Sequence, residues 1–225
     1  MLGPEFSIYL PPHRAVYIDI AKVASSSLKA TFALLLKLDL QAVGGNPHAL
    51  EFPRPPESIH DGKRLYPGLY TFAFVRNPWD RMVSCYRDKI RHEAGGFTSF
   101  SSSGVAHCLA TFDEFTAGMS FESFVHAVAS IPDADADEHF RSQHPYLTDD
   151  LGGVAIDFVG RYENLQDDFR HVAETIGLPS QTVLPRLQVA ASSVNYTDYY
   201  TQETQRVVAS RFCEDIERFA YQFKN

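Results

Sequence analysis

The sequence is poor in cysteine. Cys85, Cys108 and Cys213 are the only three in 225 residues. An odd number with no Cys-x-x-C pair indicates neither a disulfide framework nor a tetrathiolate metal site, and reduced thiols in a soluble cytoplasmic protein are the expectation. No stretch approaches 18 apolar residues, and no basic segment followed by an apolar one opens the chain, so neither a membrane span nor a secretory signal is read from it. The Gly-x-x-x-x-Gly-Lys-Ser/Thr phosphate loop is absent, and no glycine stands between Ala21 and Lys29. Basic residues are outnumbered, 20 Lys and Arg against 28 Asp and Glu for a formal charge of −8, which speaks against attachment to nucleic acid or to an anionic membrane. No solenoid repeat and no linker divides the chain, so a single domain over 1–225 is expected.

What is present suffices for a core. With 44% hydrophobic and 13% aromatic residues, a chain of this length buries about 70% of its unfolded surface. Its charge is unevenly distributed: over 13–92 twelve Lys and Arg meet seven Asp and Glu, whereas over 93–225 eight meet twenty. A basic segment on an acidic protein suggests a focused pocket for a small anion.

Apolar and β-branched runs at Ala15–Ile20, Tyr70–Val75 and Val154–Val159 predict three strands. Each is followed by a helical pattern. After the first, Leu28, Phe32, Leu35 and Leu36 recur at helical spacing behind Ser25, Ser26 or Ser27 as a cap. After the second, Trp79, Val83, Tyr86 and Ile90 repeat through about His92. After the third, a helix over 165–176 ends at Gly177-Leu-Pro179. Further helices are expected over 120–129 and from Gln202 to about Phe219. Residues 41–68, with five prolines, predict an irregular excursion able to carry side chains to a site. Asp133–Glu138 reads as a solvated acidic turn, since the calcium-loop pattern is incomplete. Strand–helix alternation gives an α/β fold, a P-loop-like parallel sheet flanked by helices.

Loops leaving the C-terminal edge of such a sheet meet helix N-termini, whose unpaired amides and dipole attract anions. Lys22 and Ser25-Ser-Ser27 stand there after the first strand. Arg76 stands directly after the second, with Ser84 two turns into its helix. Asp88, one turn further on that face, would repel a phosphate. Two anion-binding loops fed by parallel strands suggest a ligand with separated phosphates.

These residues also carry a resemblance. Lys22-Val-Ala-Ser-Ser-Ser-Leu-Lys29 resembles the 5′-phosphosulfate loop of the carbohydrate-type sulfotransferases, and Phe74-Val-Arg-Asn-Pro-Trp-Asp-Arg-Met-Val-Ser-Cys-Tyr86 resembles their 3′-phosphate segment. Phe158–Phe169 and Asp215–Phe223 look like the family's third signature and its usual ending. The resemblance implies the sulfotransferase fold and a sulfuryl donor, 3′-phosphoadenosine 5′-phosphosulfate (PAPS). It implies a hydroxyl acceptor, a carbohydrate or another small molecule, and no metal. Lys22, Ala24, Ser25, Ser26, Ser27 and Leu28 would hold the 5′ end of the donor, and Arg76 and Ser84 its 3′-phosphate. Ser192 and Ser193 could reach the nucleotide.

Sulfuryl transfer needs cations and amides against charge growing on the departing phosphate, and a base for the acceptor hydroxyl. Lys22 suits the first task. Histidine, with an ordinary pKa near 6.5, suits the second. His48 and His60 lie in the excursion between the two anion loops, and the His-Ala pair at His48 looks more like the family pattern. His139 and Gln143 lie, in sequence order, on the acceptor side. Two alternatives remain open: a P-loop kinase of a small hydroxylated molecule, and a noncatalytic adenine-nucleotide-binding protein.

Overall fold

Four segments pair into one sheet, in the order β1 (Ser7–Leu10), β2 (Ala15–Ile18), β3 (Tyr70–Val75) and β4 (Phe158–Arg161). They belong to a computed structural model that describes residues 6–55, 67–93, 97–149, 152–185, 187 and 195–224. β2, β3 and β4 run parallel, with Val16 opposite Thr71 and Phe74 opposite Gly160. β1 is antiparallel to β2, Ser7 facing Ile18 and Leu10 facing Ala15, so the sheet is mixed where a parallel one is expected. The connection explains the difference. Only the 3-10 turn Pro11–His13 and Arg14, at φ 49°, separate the two strands, and so short a link can join antiparallel neighbours but not parallel ones.

The third strand also starts later than the apolar run predicts. Toward β4 the Thr71 amide and hydroxyl donate to Asp157 Oδ2 at 2.8 and 2.9 Å, and the regular pairing of the two strands begins at Phe158, opposite Phe72. The strand then continues through Gly160. A β-carbon at Gly160 would lie 2.5 Å from Cδ1 of Phe74, and Phe74 is buried in the sheet core, so the close approach of β3 and β4 requires glycine. Gly160→Ala is therefore expected to cost about 1–3 kcal/mol by overpacking; an unchanged denaturant midpoint would contradict that reading.

The chain divides into two compact units. The first, Met1–Val75 with Gln143–Leu187, holds the sheet, helix α1 (Ser25–Leu35) and helix α4 (Leu165–Thr175). Phe32 of α1 packs on Tyr17 and Phe72 at ring-centroid distances of 5.3 and 6.2 Å, an aromatic core that ties the first helix to the sheet. α4 ends where Gly177 takes φ +70°, a left-handed conformation that glycine adopts without a steric cost.

The second unit, Arg76–Ser142 with Gln188–Asn225, holds α2 (Pro78–Lys89), α3 (Phe121–Ser130), α5 (Gln202–Arg211) and α6 (Cys213–Arg218). Asn77 caps α2 by accepting from the Trp79 amide at 3.0 Å. Trp79, Val83, Tyr86 and Ile90 are all buried, as their spacing predicts. The single C-terminal helix expected from the sequence breaks at Phe212, whose ψ of 29° interrupts the helical path. The acidic turn is also not simply solvated. Asp133 Oδ1 accepts from the Ser142 amide and from Arg211 Nη2 at 2.9 and 2.8 Å, and Asp137 accepts from His139. The two inward carboxylates thus brace the turn, while Asp135 and Glu138 are exposed.

Candidate functional site: the turn between the second strand and the first helix

β2 delivers the chain into a five-residue stretch, Asp19 to Val23, and then into the helix. Lys22 and Ala24 both adopt left-handed backbone conformations, φ 68° and 57°. Non-glycine residues occupy that region at a cost and are concentrated at ligand-binding turns. The helix cap is Ala24, not a serine, and its side chain makes no capping hydrogen bond. Ser25, Ser26 and Ser27 are instead the first three residues of α1, each buried. Their first-turn amides lack intrahelical partners by construction, and an 11-residue helix adds its dipole. The loop therefore suits a phosphate group without a glycine-rich sequence.

Beside this turn stands a charged cluster that the sequence reading did not assemble. Lys29 Nζ lies 2.7 Å from Asp19 Oδ2, and the Tyr17 hydroxyl donates to Asp19 Oδ1 at 3.2 Å. Burial pushes the Asp19 carboxyl pKa up, but the Lys29 ammonium and hydrogen bonds from Lys29 and Ser25 outweigh it and hold the group below its ordinary value. Asp19 is thus a carboxylate at neutral pH. Burial, followed by the neighbouring Asp19 charge, holds the Tyr17 phenol well above its ordinary value.

His48 joins the same cluster. The 3-10 turn Pro47–Ala49, capped by Asn46, which accepts from the His48 amide at 3.0 Å, brings its ring to the first turn of α1. Nε2 lies 2.7 Å from Ser26 Oγ and Nδ1 lies 3.4 Å from Lys29 Nζ. An ammonium only donates, so a neutral ring facing Lys29 through Nδ1 carries its hydrogen on Nε2 and donates it to Ser26. Nδ1 then holds the lone pair. Its contact with Lys29 is long and weak, while the Lys29–Asp19 pair is short.

Asp19 and Lys29 are the site residues the sequence reading missed. A carboxylate at the C-terminal end of an otherwise apolar strand was the available signal for Asp19. Lys29, four residues after Ser25, lies one turn up the same helix face.

The second anion segment begins at Arg76, the residue after β3. Arg76 Nε donates to Asp80 Oδ2 at 2.8 Å, an i,i+4 pair that orients the guanidinium within its own unit. Ser84 is half-buried on α2. Asp88 is engaged by Thr98 Oγ1 at 2.7 Å and by Lys89 at 3.2 Å. Arg81 is a structural brace, donating to the carbonyls of Arg141 and Glu138 at 2.7 and 2.9 Å. Gln143 is fully buried and belongs to the first unit, whereas His139 belongs to the second and pairs with Asp137 at 2.6 Å. His60, Ser192 and Ser193 lie outside the described residues. No described helix is long and apolar enough to cross a membrane.

Comparison with known proteins identifies the family. The model of the sulfotransferase family matches residues 7–222. Carbohydrate sulfotransferase 9 of Homo sapiens is 24% identical over 218 residues, covering 92% of this chain and 47% of that protein. Carbohydrate sulfotransferase 14 of Danio rerio is 24% identical over 233 residues, covering 95% of this chain and 61% of its own length. An uncharacterized protein of Archaeoglobus fulgidus is 34% identical over 137 residues, 60% of this chain and 88% of that protein. This chain thus spans between 47% and 61% of the two carbohydrate sulfotransferases. No solved structure matches. A match that begins at the first residue of β1 and takes in both strand-to-helix turns leaves one conclusion: the chain belongs to the sulfotransferase family, alongside the carbohydrate sulfotransferases.

Proposed function

We propose that this chain transfers a sulfuryl group from PAPS to a hydroxyl of a carbohydrate or another small hydroxylated acceptor. The observation that carries this reading is the turn at Lys22–Ser27. Two left-handed non-glycine residues lead there into the N-terminus of an 11-residue helix, in a chain of the sulfotransferase family. When bound, the donor supplies the SO3 unit and the phosphate that leaves. The protein's own part divides among named groups. Amides of the first turn of α1 and the Ser25–Ser27 hydroxyls bind the 5′ end, and Lys22 meets the charge that grows on the departing oxygen. His48 Nδ1 takes the acceptor proton. Lys29 yields that nitrogen at little cost because Asp19 keeps hold of its ammonium. Arg76, steadied by Asp80, and Ser84 hold the 3′-phosphate.

Incubation with sulfur-labelled PAPS and a panel of sugars and small alcohols, with no Mg²⁺ added, is expected to give labelled acceptor. Phosphate transfer from adenosine triphosphate that depends on Mg²⁺ would instead establish the kinase alternative. Binding without transfer to any acceptor would establish a noncatalytic nucleotide-binding protein.

The 3′-phosphate assignment has its own check. Calorimetry is expected to show 3′-phosphoadenosine 5′-phosphate binding far more tightly than adenosine monophosphate, since hydrogen bonds to charged groups contribute about 1.5–3 kcal/mol each. Arg76→Ala should erase most of that preference. Equal affinity of the unmutated protein for the two nucleotides would remove Arg76 and Ser84 from the site.

A further inference from the structure

The second unit contains a cluster that the transfer chemistry does not use. Cys108, on the 3-10 turn His107–Leu109, meets Asp137 and His139 of the acidic turn. One ligand-type atom from each, a thiol sulfur, a carboxylate oxygen and a ring nitrogen, lies within 4.8 Å of the other two. Asp137 Oδ1 accepts from the His139 amide at 3.0 Å and lies 2.6 Å from its Nδ1, so two of the three groups are already fixed in one orientation. All three are half-buried, within reach of solvent but partly shielded from it.

We infer that Cys108, Asp137 and His139 form a binding site for a thiophilic divalent metal ion, Zn²⁺ in the first instance. Mixed sulfur, nitrogen and oxygen donors are the ligand set zinc prefers, and three protein ligands leave a fourth position for water. Metal–ligand bonds of about 2.0–2.3 Å place tetrahedral ligand atoms roughly 3.3–3.8 Å apart. Closing the cluster therefore takes a shift of about an ångström from the present spacing, within reach of side-chain rotation. The ion takes the place of the hydrogen between Asp137 Oδ1 and His139 Nδ1: the neutral ring gives that hydrogen to solvent and takes one from solvent at Nε2, so it binds through Nδ1 as the Nε2–H tautomer.

Without a metal, burial, the largest influence on the Cys108 thiol, holds its pKa up at about 11. On binding, the thiol proton leaves to solvent as the sulfur–metal bond forms. Charge also balances. Lys89, the nearby cation, is paired with Asp88 at 3.2 Å and donates to Thr98. The Cys108 thiolate and the Asp137 carboxylate are then left to neutralise a divalent ion. This reading gives His139 a duty other than acceptor binding and does not depend on sulfuryl transfer.

The test is titration of the full chain, first stripped by chelator, with Co²⁺ as a spectroscopic substitute. The expected result is one equivalent of Co²⁺ bound, with a thiolate-to-cobalt charge-transfer band and the intense visible bands of a tetrahedral site, all displaced by Zn²⁺. Cys108→Ser and His139→Gln should each lose at least about a hundredfold in affinity, whereas the variant of the exposed thiol, Cys213→Ser, should keep the full spectrum. A second measurement, independent of how the variants fold, uses the unmutated protein. Zn²⁺ should slow alkylation of Cys108 and leave that of Cys213 unchanged, as read by mass spectrometry. No thiolate band with excess Co²⁺, a band that follows Cys213 instead of Cys108, or alkylation of Cys108 indifferent to Zn²⁺ would overturn the assignment.

Discussion

Replacement of His48 by alanine is expected to lower turnover by about a hundredfold or more, the usual contribution of a positioned general base, and to leave nucleotide affinity nearly unchanged. The reason is the position of the ring. It stands at the first turn of α1, 2.7 Å from Ser26 and 3.4 Å from Lys29, beside the turn proposed to hold the donor. Of the two nitrogens, Nδ1 carries the lone pair. The working form is the neutral ring, so turnover should rise with pH as the ring loses its proton and level off above that. His48→Ala should flatten that limb, and His60→Ala should lose much less. The measurement is the pH–rate profile of both variants with donor and acceptor saturating. Near-normal turnover in His48→Ala, together with loss of the ascending limb in a folded, donor-binding His60→Ala, would move the base to His60.

Lys22→Ala should lower turnover by roughly a hundredfold to a thousandfold, about 3–4 kcal/mol of transition-state stabilisation, with a much smaller loss of nucleotide affinity. The two effects separate because different groups carry them. The amides of α1 and the buried hydroxyls of Ser25, Ser26 and Ser27 remain to hold the ground-state phosphate, whereas the ammonium is directed at charge that appears only as the bond to sulfur breaks. A second consequence follows from the backbone. Lys22 sits at φ 68°, so alanine inherits the same left-handed conformation and any strain it carries. A loss of turnover cannot then be assigned to relaxation of the turn. Rates measured with donor saturating, alongside calorimetric affinities, decide the matter. Unchanged turnover would take Lys22 out of the chemistry, and equal losses in affinity and turnover would make it a binding residue only.

Much of this site is legible along the chain because it is built from neighbours in sequence. β3, Tyr70–Val75, and α2 with its buried Trp79, Val83, Tyr86 and Ile90 follow from periodicities of two and of three to four residues. Lys22 and the three serines follow from the rule that a parallel strand hands its chain to a helix N-terminus. Where a local pattern is ambiguous, neighbouring residues do not decide the outcome. Any of the serines could have capped α1, yet Ala24 does so, because the left-handed turn at Lys22 and Ala24 carries Ser25 into the first helical position. β1 has no signature in the sequence, since four residues before a Pro-Pro pair give too short a period to register, and only pairing with β2 makes them a strand.

By itself, then, the sequence determined the family and the strand–helix order, and it marked the two segments proposed to bind anions, all of them set by residues a few positions apart. The tertiary structure alone decided which partners those residues meet. Nine histidines are present, and only the path of the aperiodic, proline-rich segment brings His48 to Ser26 and Lys29. Asp19 and Lys29 are ten residues apart in the sequence and 2.7 Å apart in space, and Cys108 meets Asp137 and His139 across about thirty residues. No periodicity encodes such meetings. They arise because burial of the apolar faces of β2, α1 and the second unit's helices fixes the backbone first, and the polar side chains then find their partners from wherever that burial has put them.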